Sequence, residues 1–254
     1  MTYLTSIILG IVQGFTEFLP VSSTAHLILT SSLLQISQTE FQKMFEVIIQ
    51  LGSILAVVAL FWRKLLDPEL LKRLLVAFIP TGIIGLLLHK VIKNLYDQNK
   101  IIIITLMVGG LIIILFEFWH KEKETDVGEL NQITYKQSLF LGLFQSLAIV
   151  PGVSRSASTI IGGLAMGIKR RTIVEFSFLL AVPTMFAASG LDLVGGYKFL
   201  GGGNFGLLAV GFIASFVVSA VSIKFLLGFI RRFNFVSFGV YRILAGIFFW
   251  LIIL

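Results

Sequence analysis

Six apolar runs, at roughly 41–61, 74–92, 100–119, 172–192, 206–227 and 235–254, dominate the chain. Each is long enough to cross a hydrocarbon core of about 30 Å at about 1.5 Å of helix per residue. Water is absent there, so every backbone polar group must be paired within the chain, and the runs must be helices. Composition agrees. Apolar residues make up 57% of the 254 residues and charged ones 13%, with a mean hydropathy of +0.98, whereas soluble domains carry about a quarter charged residues. An all-α integral membrane protein with six transmembrane helices is predicted.

Two further apolar segments cannot cross. Residues 4–34 are interrupted by Phe18-Leu19-Pro20-Val21-Ser22-Ser23-Thr24, and residues 137–167 by Val150-Pro151-Gly152-Val153-Ser154-Arg155-Ser156. The halves have about 12 to 15 residues, or ~18–22 Å as helix. Proline ends one helix and Ser or Thr caps the next. Both segments read as re-entrant helical hairpins, tolerated at depth only where protein or a wet cavity surrounds the tip. They are also copies. At an offset of 132, Leu9-Gly10-x-x-Gln13 matches Leu141-Gly142-x-x-Gln145, and Val21-Ser22 matches Val153-Ser154. Phe45-Glu46 echoes Val174-Glu175 at an offset of 129. Three spans separate the copies, and an odd number inverts the second. The expected organisation is one polytopic domain, 1–254, built as an inverted-topology repeat of 1–119 and 137–254 around a cytoplasmic loop, 120–136.

Charge sets the orientation. Thirteen basic residues fall on one side: Arg63, Lys64, Lys72, Arg73, Lys121, Lys123, Lys136, Lys169, Arg170, Arg171, Lys224, Arg231 and Arg232. Five fall on the other: Lys43, Lys90, Lys93, Lys100 and Lys198. The richer side is assigned to the cytoplasm. Both termini then lie outside, the first hairpin enters from outside and the second from inside. This scatter through the loops accounts for the net charge of +7 without a nucleic-acid partner. The lack of cysteine excludes disulfide frameworks, thiolate zinc sites and iron–sulfur clusters. His26, His89 and His120 are too far apart in sequence to suggest a three-histidine metal site. The N-terminal run has no basic region and is broken by Gln13 and Glu17, which does not suit a cleaved signal peptide.

Arg155 and Arg242 are the basic residues left within the membrane, where an ionisable group marks a functional site. In the first tip Gln13 and Glu17 share a helix face, and His26 shares one with Ser22 and Ser23. The plainer alternative has Ser22, Ser23 and Thr24 as caps, with Glu17 and His26 satisfying each other. The second tip supplies Ser154, Arg155, Ser156, Ser158 and Thr159. A guanidinium forks onto phosphate oxygens, and both ascending half-helices aim free N–H groups into the membrane. Tip to tip, they form an anion site suited to phosphate, unless Arg155 merely clamps Glu17 or Glu46. Glu46, Gln50 and Glu175 are expected to support or brace, with Arg242 paired to one of them. Glu117, Asp192, His89 and His120 read as interfacial, and the glycines as sites of close helix packing. These residues leave two classes open: an anion transporter, since such repeats are common there, or a hydrolase using Glu, Ser, His and Arg.

Gln13-Gly-Phe-Thr-Glu17-Phe-Leu-Pro-Val-Ser-Ser23-Thr-Ala-His26 closely resembles the first signature of the undecaprenyl-diphosphate phosphatases of the bacitracin-resistance type. Pro151-Gly-Val-Ser-Arg155-Ser156-Ala-Ser-Thr159 resembles the second, and stretches from Phe45 to Gly52 and from Glu175 to Pro183 also look like this family. The resemblance implies a multi-pass plasma-membrane hydrolase with its site facing the outer side. It would remove the terminal phosphate of undecaprenyl diphosphate, recycle the lipid carrier for peptidoglycan and other envelope polymers, and confer bacitracin resistance. It implies a divalent cation, Mg²⁺ or Ca²⁺, with Glu17 as a ligand. Glu17, Ser23, His26 and Arg155 would be catalytic, and Gln13, Ser22, Thr24, Ser154, Ser156 and Thr159 substrate-binding. A polyprenyl diphosphate lipid and the bilayer are the implied partners, and a homo-oligomer is compatible. The alternative is a transporter or flippase for an anionic or phosphorylated lipid. In the implied reaction Ser23, helped by His26, attacks the terminal phosphorus; alternatively His26 or Glu17 activates water directly. Two departures stand out. Gln13 is an allowed variant of an acidic position and removes one potential metal ligand, and Ala25 and Ala157 stand where glycine is common.

Overall fold

The computed structural model describes residues 1–37, 39–96, 98–196 and 205–253, except the side chains at 89–94, 96, 195 and 196. Lys198 and the side chains of His89, Lys90 and Lys93 therefore lie outside the described residues. Among the described residues are ten α-helices and no strand: α1 (Tyr3–Thr16), α2 (Ser23–Leu33), α3 (Glu40–Leu65), α4 (Pro68–Tyr96), α5 (Asn99–Trp119), α6 (Tyr135–Ser146), α7 (Arg155–Ala165), α8 (Arg170–Gly196), α9 (Phe205–Phe229) and α10 (Val236–Ile253). Six of these, α3, α4, α5, α8, α9 and α10, are long and apolar enough to cross a membrane, and they coincide with the six expected runs. The protein is a multi-pass, all-helical membrane protein.

Helix ends follow local chemistry. Thr2, Thr39 and Thr134 cap α1, α3 and α6 by accepting a backbone N–H three residues on. Asp67 Oδ1 accepts from Glu69 N at 2.9 Å, with Pro68 in the first helical position, where its missing N–H costs nothing. The two broken segments are the helix pairs α1–α2 and α6–α7, of 14, 11, 12 and 11 residues. At about 1.5 Å per residue none reaches the roughly 30 Å needed to cross.

Packing exchanges helices between the halves. α1 lies on α9 and α6 on α4; α3 also meets α9, and α8 meets α4; α3–α8 and α5–α10 complete the set. Small residues make this possible. A Cβ on Gly10 would come 2.5 Å from the Gly211 carbonyl, and one on its counterpart Gly142 would come 2.0 Å from that of Ala77. On α9 the serines add bonds across the seam: Ser215 Oγ donates to Ile49 O (2.6 Å), Ser219 to Gly14 O (3.2 Å) and Ser222 to Phe15 O (2.9 Å). Such close backbone approach is how membrane helices associate without a hydrophobic drive between them. Gly142→Ala should therefore push α6 off α4 and cost about 1–3 kcal/mol, as overpacking does. A lowered melting temperature in detergent is the readout.

Candidate functional site

The two tips are built alike. Ser22 (φ 72°, ψ 92°) and Ser154 (φ 80°, ψ 116°) both sit in left-handed backbone just before a helix. Their hydroxyls accept from Ala25 N at 3.4 Å and Ala157 N at 3.3 Å. A left-handed non-glycine residue costs on the order of 1–3 kcal/mol, and such strain gathers at functional sites. The next residue, in the first helical position, is Ser23 in one hairpin and Arg155 in the other, at the repeat's offset of 132. One backbone device thus presents a hydroxyl from one side and a guanidinium from the other.

They meet at Glu17. Its Oε2 accepts from Ser23 Oγ at 2.7 Å and from Gln13 Nε2 at 2.9 Å, and its Oε1 takes Arg155 Nη2 at 3.4 Å. Arg155 Nη1 donates to Ser177 O at 2.8 Å. The expected clamp between Arg155 and Glu17 is present, but it is a single long contact. Arg155 Nε and Gln13 Oε1 are buried without a partner. A buried unsatisfied polar group costs about 1–3 kcal/mol, which an arriving anion would relieve at the guanidinium.

His26 does not pair with Glu17. Ring Nδ1 donates to Ser22 O at 2.8 Å, and Nε2 lies 2.8 Å from the Tyr241 hydroxyl on α10. The remaining hydroxyls are engaged locally. Ser154 and Ser156 share a hydrogen bond of 3.2 Å, and Ser156 Oγ also donates to Leu19 O at 2.9 Å, stapling the tips together. Ser158 donates to Ser154 O (3.0 Å) and Thr159 to Arg155 O (2.9 Å), while Thr24 is half-buried in the first turn of α2. Tyr241 and Ser177 are not singled out by the sequence for a role at the site. The signals in the sequence are that Tyr241 precedes Arg242 and that Ser177 lies two residues after Glu175, within the stretch from Glu175 to Pro183.

Arg242 requires a correction. It pairs with none of Glu46, Gln50 and Glu175. Fully buried, it donates to five carbonyls: Leu106 O (3.0 Å), Pro20 O (3.2 Å), Val153 O (3.0 Å), Thr105 O (3.4 Å) and Gly152 O (2.8 Å). Those of Pro20, Gly152 and Val153 belong to the tips, whose broken helices leave carbonyls unpaired. Glu46 instead accepts from Gln42 Nε2 at 2.9 Å, and Glu175 pairs with Lys64 and, at 3.2 Å, with Arg171. Glu117, in the last turn of α5, is buried, paired with Arg170, and accepts from Phe235 N at 3.1 Å. His120 stacks on Phe116 with ring centroids 5.0 Å apart.

Arg155 contacts the Glu17 carboxylate, and Arg242 adds a second guanidinium on the carbonyls of both tips, so the junction carries an excess of positive charge and favours an anion. Its oxygen donors are Glu17, the orphaned Gln13 Oε1 and Ser23 Oγ. Among the described residues no group of three or more His, Cys, Asp or Glu forms a cage for a metal ion. Hard divalent cations take oxygen ligands, and Mg²⁺ commonly binds through one or two carboxylates plus substrate phosphates. The donors present fit such a cation.

The sequence profile described as "Bacitracin resistance protein BacA" matches residues 6–248. The chain is 52% identical to a protein of Sulfurihydrogenibium sp. (strain YO3AOP1), over 99% of both chains. It is 52% identical to one of Persephonella marina, over the whole of both, and 46% identical to one of Aquifex aeolicus, over 97% of both. Each of these relatives is named undecaprenyl-diphosphatase.

Proposed function

The chain belongs to the BacA family of bacitracin resistance proteins, and on that footing we propose that it hydrolyses undecaprenyl diphosphate to undecaprenyl phosphate and inorganic phosphate. The observation that carries this is the meeting of Ser23, Glu17 and Arg155 from two separate hairpins. Recycling of the lipid carrier and bacitracin resistance follow from the reaction. Of the two classes left open by the residues, the relatives favour the phosphatase over the transporter.

Arg155 turns from Glu17 onto the phosphate oxygens, where its planar fork and the free N–H groups at the α2 and α7 N-termini hold the anion. Ser23 Oγ then bonds the terminal phosphorus as its proton passes to Glu17 Oε2, already 2.7 Å away. The bridging P–O bond breaks, and the lipid phosphate leaves with the electron pair. Glu17 sheds its proton to bulk water, accepts one from the hydrolytic water, and returns it to Ser23 Oγ as phosphate departs. Glu17 would hold Mg²⁺ or Ca²⁺, and Gln13, though it lacks the acidic group, would still offer its unpartnered amide oxygen. Such an ion would offset the charge on the phosphate oxygens. Gln13 also holds Glu17 in place through Nε2.

Two measurements test this reading. Purified protein in detergent, given a polyprenyl diphosphate and Mg²⁺, should release inorganic phosphate; a transporter, which needs two compartments, would release none. A chiral terminal phosphorus should react with overall retention through phosphoserine, and inversion would replace Ser23 with direct attack by water.

We propose further that the two hairpins are re-entrant within the plasma membrane, in an inverted pair, with the site open to the outer side. The thirteen-to-five asymmetry of basic residues supports this orientation. The chain has no cysteine, so single cysteines report sidedness directly. An impermeant thiol reagent on intact cells should label Lys43→Cys and spare Glu124→Cys; the opposite pattern reverses the topology.

A further inference from the structure

At the offset of 132, His26 corresponds to Ser158, and the two side chains make the same contact. Ser22 O accepts from His26 N at 3.2 Å and from the ring Nδ1 at 2.8 Å. Ser154 O accepts from Ser158 N at 3.1 Å and from Ser158 Oγ at 3.0 Å. Each carbonyl belongs to the left-handed serine that aims the next residue, Ser23 in one hairpin and Arg155 in the other. A hydroxyl does in the second hairpin what an imidazole does in the first.

The rest of the imidazole is also occupied. A carbonyl only accepts, so Nδ1 carries a proton, and Nε2 of the neutral ring receives the Tyr241 hydroxyl at 2.8 Å. The Tyr241 ring stacks on His26 at 5.6 Å and 9°, and Phe249 meets it edge-on at 6.3 Å. Ser23 donates to Glu17 instead.

We propose that His26 is a positioning residue: its Nδ1–H braces the Ser22 carbonyl and so aims Ser23 at Glu17, and Tyr241 locks the ring in that role from the other half of the molecule. The proposal rests on the reading of Ser23 as the attacking group. It removes His26 from the proton path and leaves Glu17 as the acceptor.

Asparagine separates the roles, because its amide nitrogen sits near Nδ1 and keeps the donor but cannot act as a base. Glutamine sets its amide near Nε2 and loses the brace. With phosphate release and melting temperature read on the same preparations, His26→Asn should keep kcat/KM within about tenfold of the parent. His26→Gln and His26→Ala should lose about 10²-fold or more, the scale of a misplaced reacting group. If His26 were the proton acceptor, Asn would fall with Ala by about 10²–10⁴-fold, and a folded His26→Asn protein that does so overturns the proposal. Tyr241→Phe, which keeps the stack and loses the hydroxyl, should lower turnover several-fold in the parent and not at all in His26→Asn. An equal drop in both would break the link to Tyr241.

A measurement on the unaltered site covers the case in which these variants fail to fold. With His89→Gln and His120→Gln in place, His26 is the only histidine left, and its ¹⁵N shifts at neutral pH should show Nδ1 protonated and Nε2 bare. The reverse tautomer sinks the proposal. Ser23→Ala is run alongside: activity retained there would refute the attacking group, whereas activity lost there and also in a folded His26→Asn protein refutes the brace and leaves the attacking group standing.

Discussion

Arg155→Lys should still fold and insert, yet lose about 10²-fold or more in kcat/KM, or about 3 kcal/mol at 1.36 kcal/mol per decade. Lysine keeps the charge and gives up the planar fork. The geometry sharpens the expectation. Arg155 holds Glu17 through one nitrogen at 3.4 Å and leaves Nε buried with no partner, so the resting contact uses only part of the fork. A diphosphate would use the rest. Were the residue only a clamp, Arg155→Ala would melt earlier with normal turnover per folded molecule, and Glu17→Gln would partly restore its stability. A stable Arg155→Ala protein with normal turnover would remove the phosphate site from this residue.

Arg242→Met is expected to be the more damaging change to the fold. Methionine fills much of the volume and leaves five carbonyls without their shared donor. Those of Thr105 and Leu106 lie within α5, but those of Pro20, Gly152 and Val153 lie in the tips. At about 1–3 kcal/mol for each buried unsatisfied group, the loss is on the order of 5 kcal/mol, beyond the usual range for one substitution. Melting temperature and total activity should fall together. Arg242→Lys should be intermediate, since an ammonium has three donors and no fixed fork. An Arg242→Met protein that melts like the parent would show that the carbonyls find other partners.

The six spans were legible because apolar run length is a local property, and the breaks were legible because Pro20, Pro151 and the serines announce them. The offset of 132 pairs Ser23 with Arg155, so the central register of the site is written in the repeat itself. Arg242 was misread for a physical reason. A buried cation was expected to seek a carboxylate, whereas broken helices offer carbonyl dipoles that serve equally well. Tyr241 escaped because its contact with His26 spans 215 residues and two helices, and no local pattern encodes a pairing of that range. Ser177 escaped because its part is played by a backbone carbonyl.

The tie made by Arg242 also has a bearing on how the protein is made. Translation is vectorial, and α10 emerges after both hairpins and every other span. Until it does, the carbonyls of Pro20, Gly152 and Val153 have no guanidinium, and hydrocarbon offers them no substitute. The nascent tips would therefore wait in a hydrated setting, at the translocon or at the bilayer surface, and move to their final depth once α10 has been delivered. Maturation of the site would then be a single event, timed by the arrival of α10 rather than by the folding of either half.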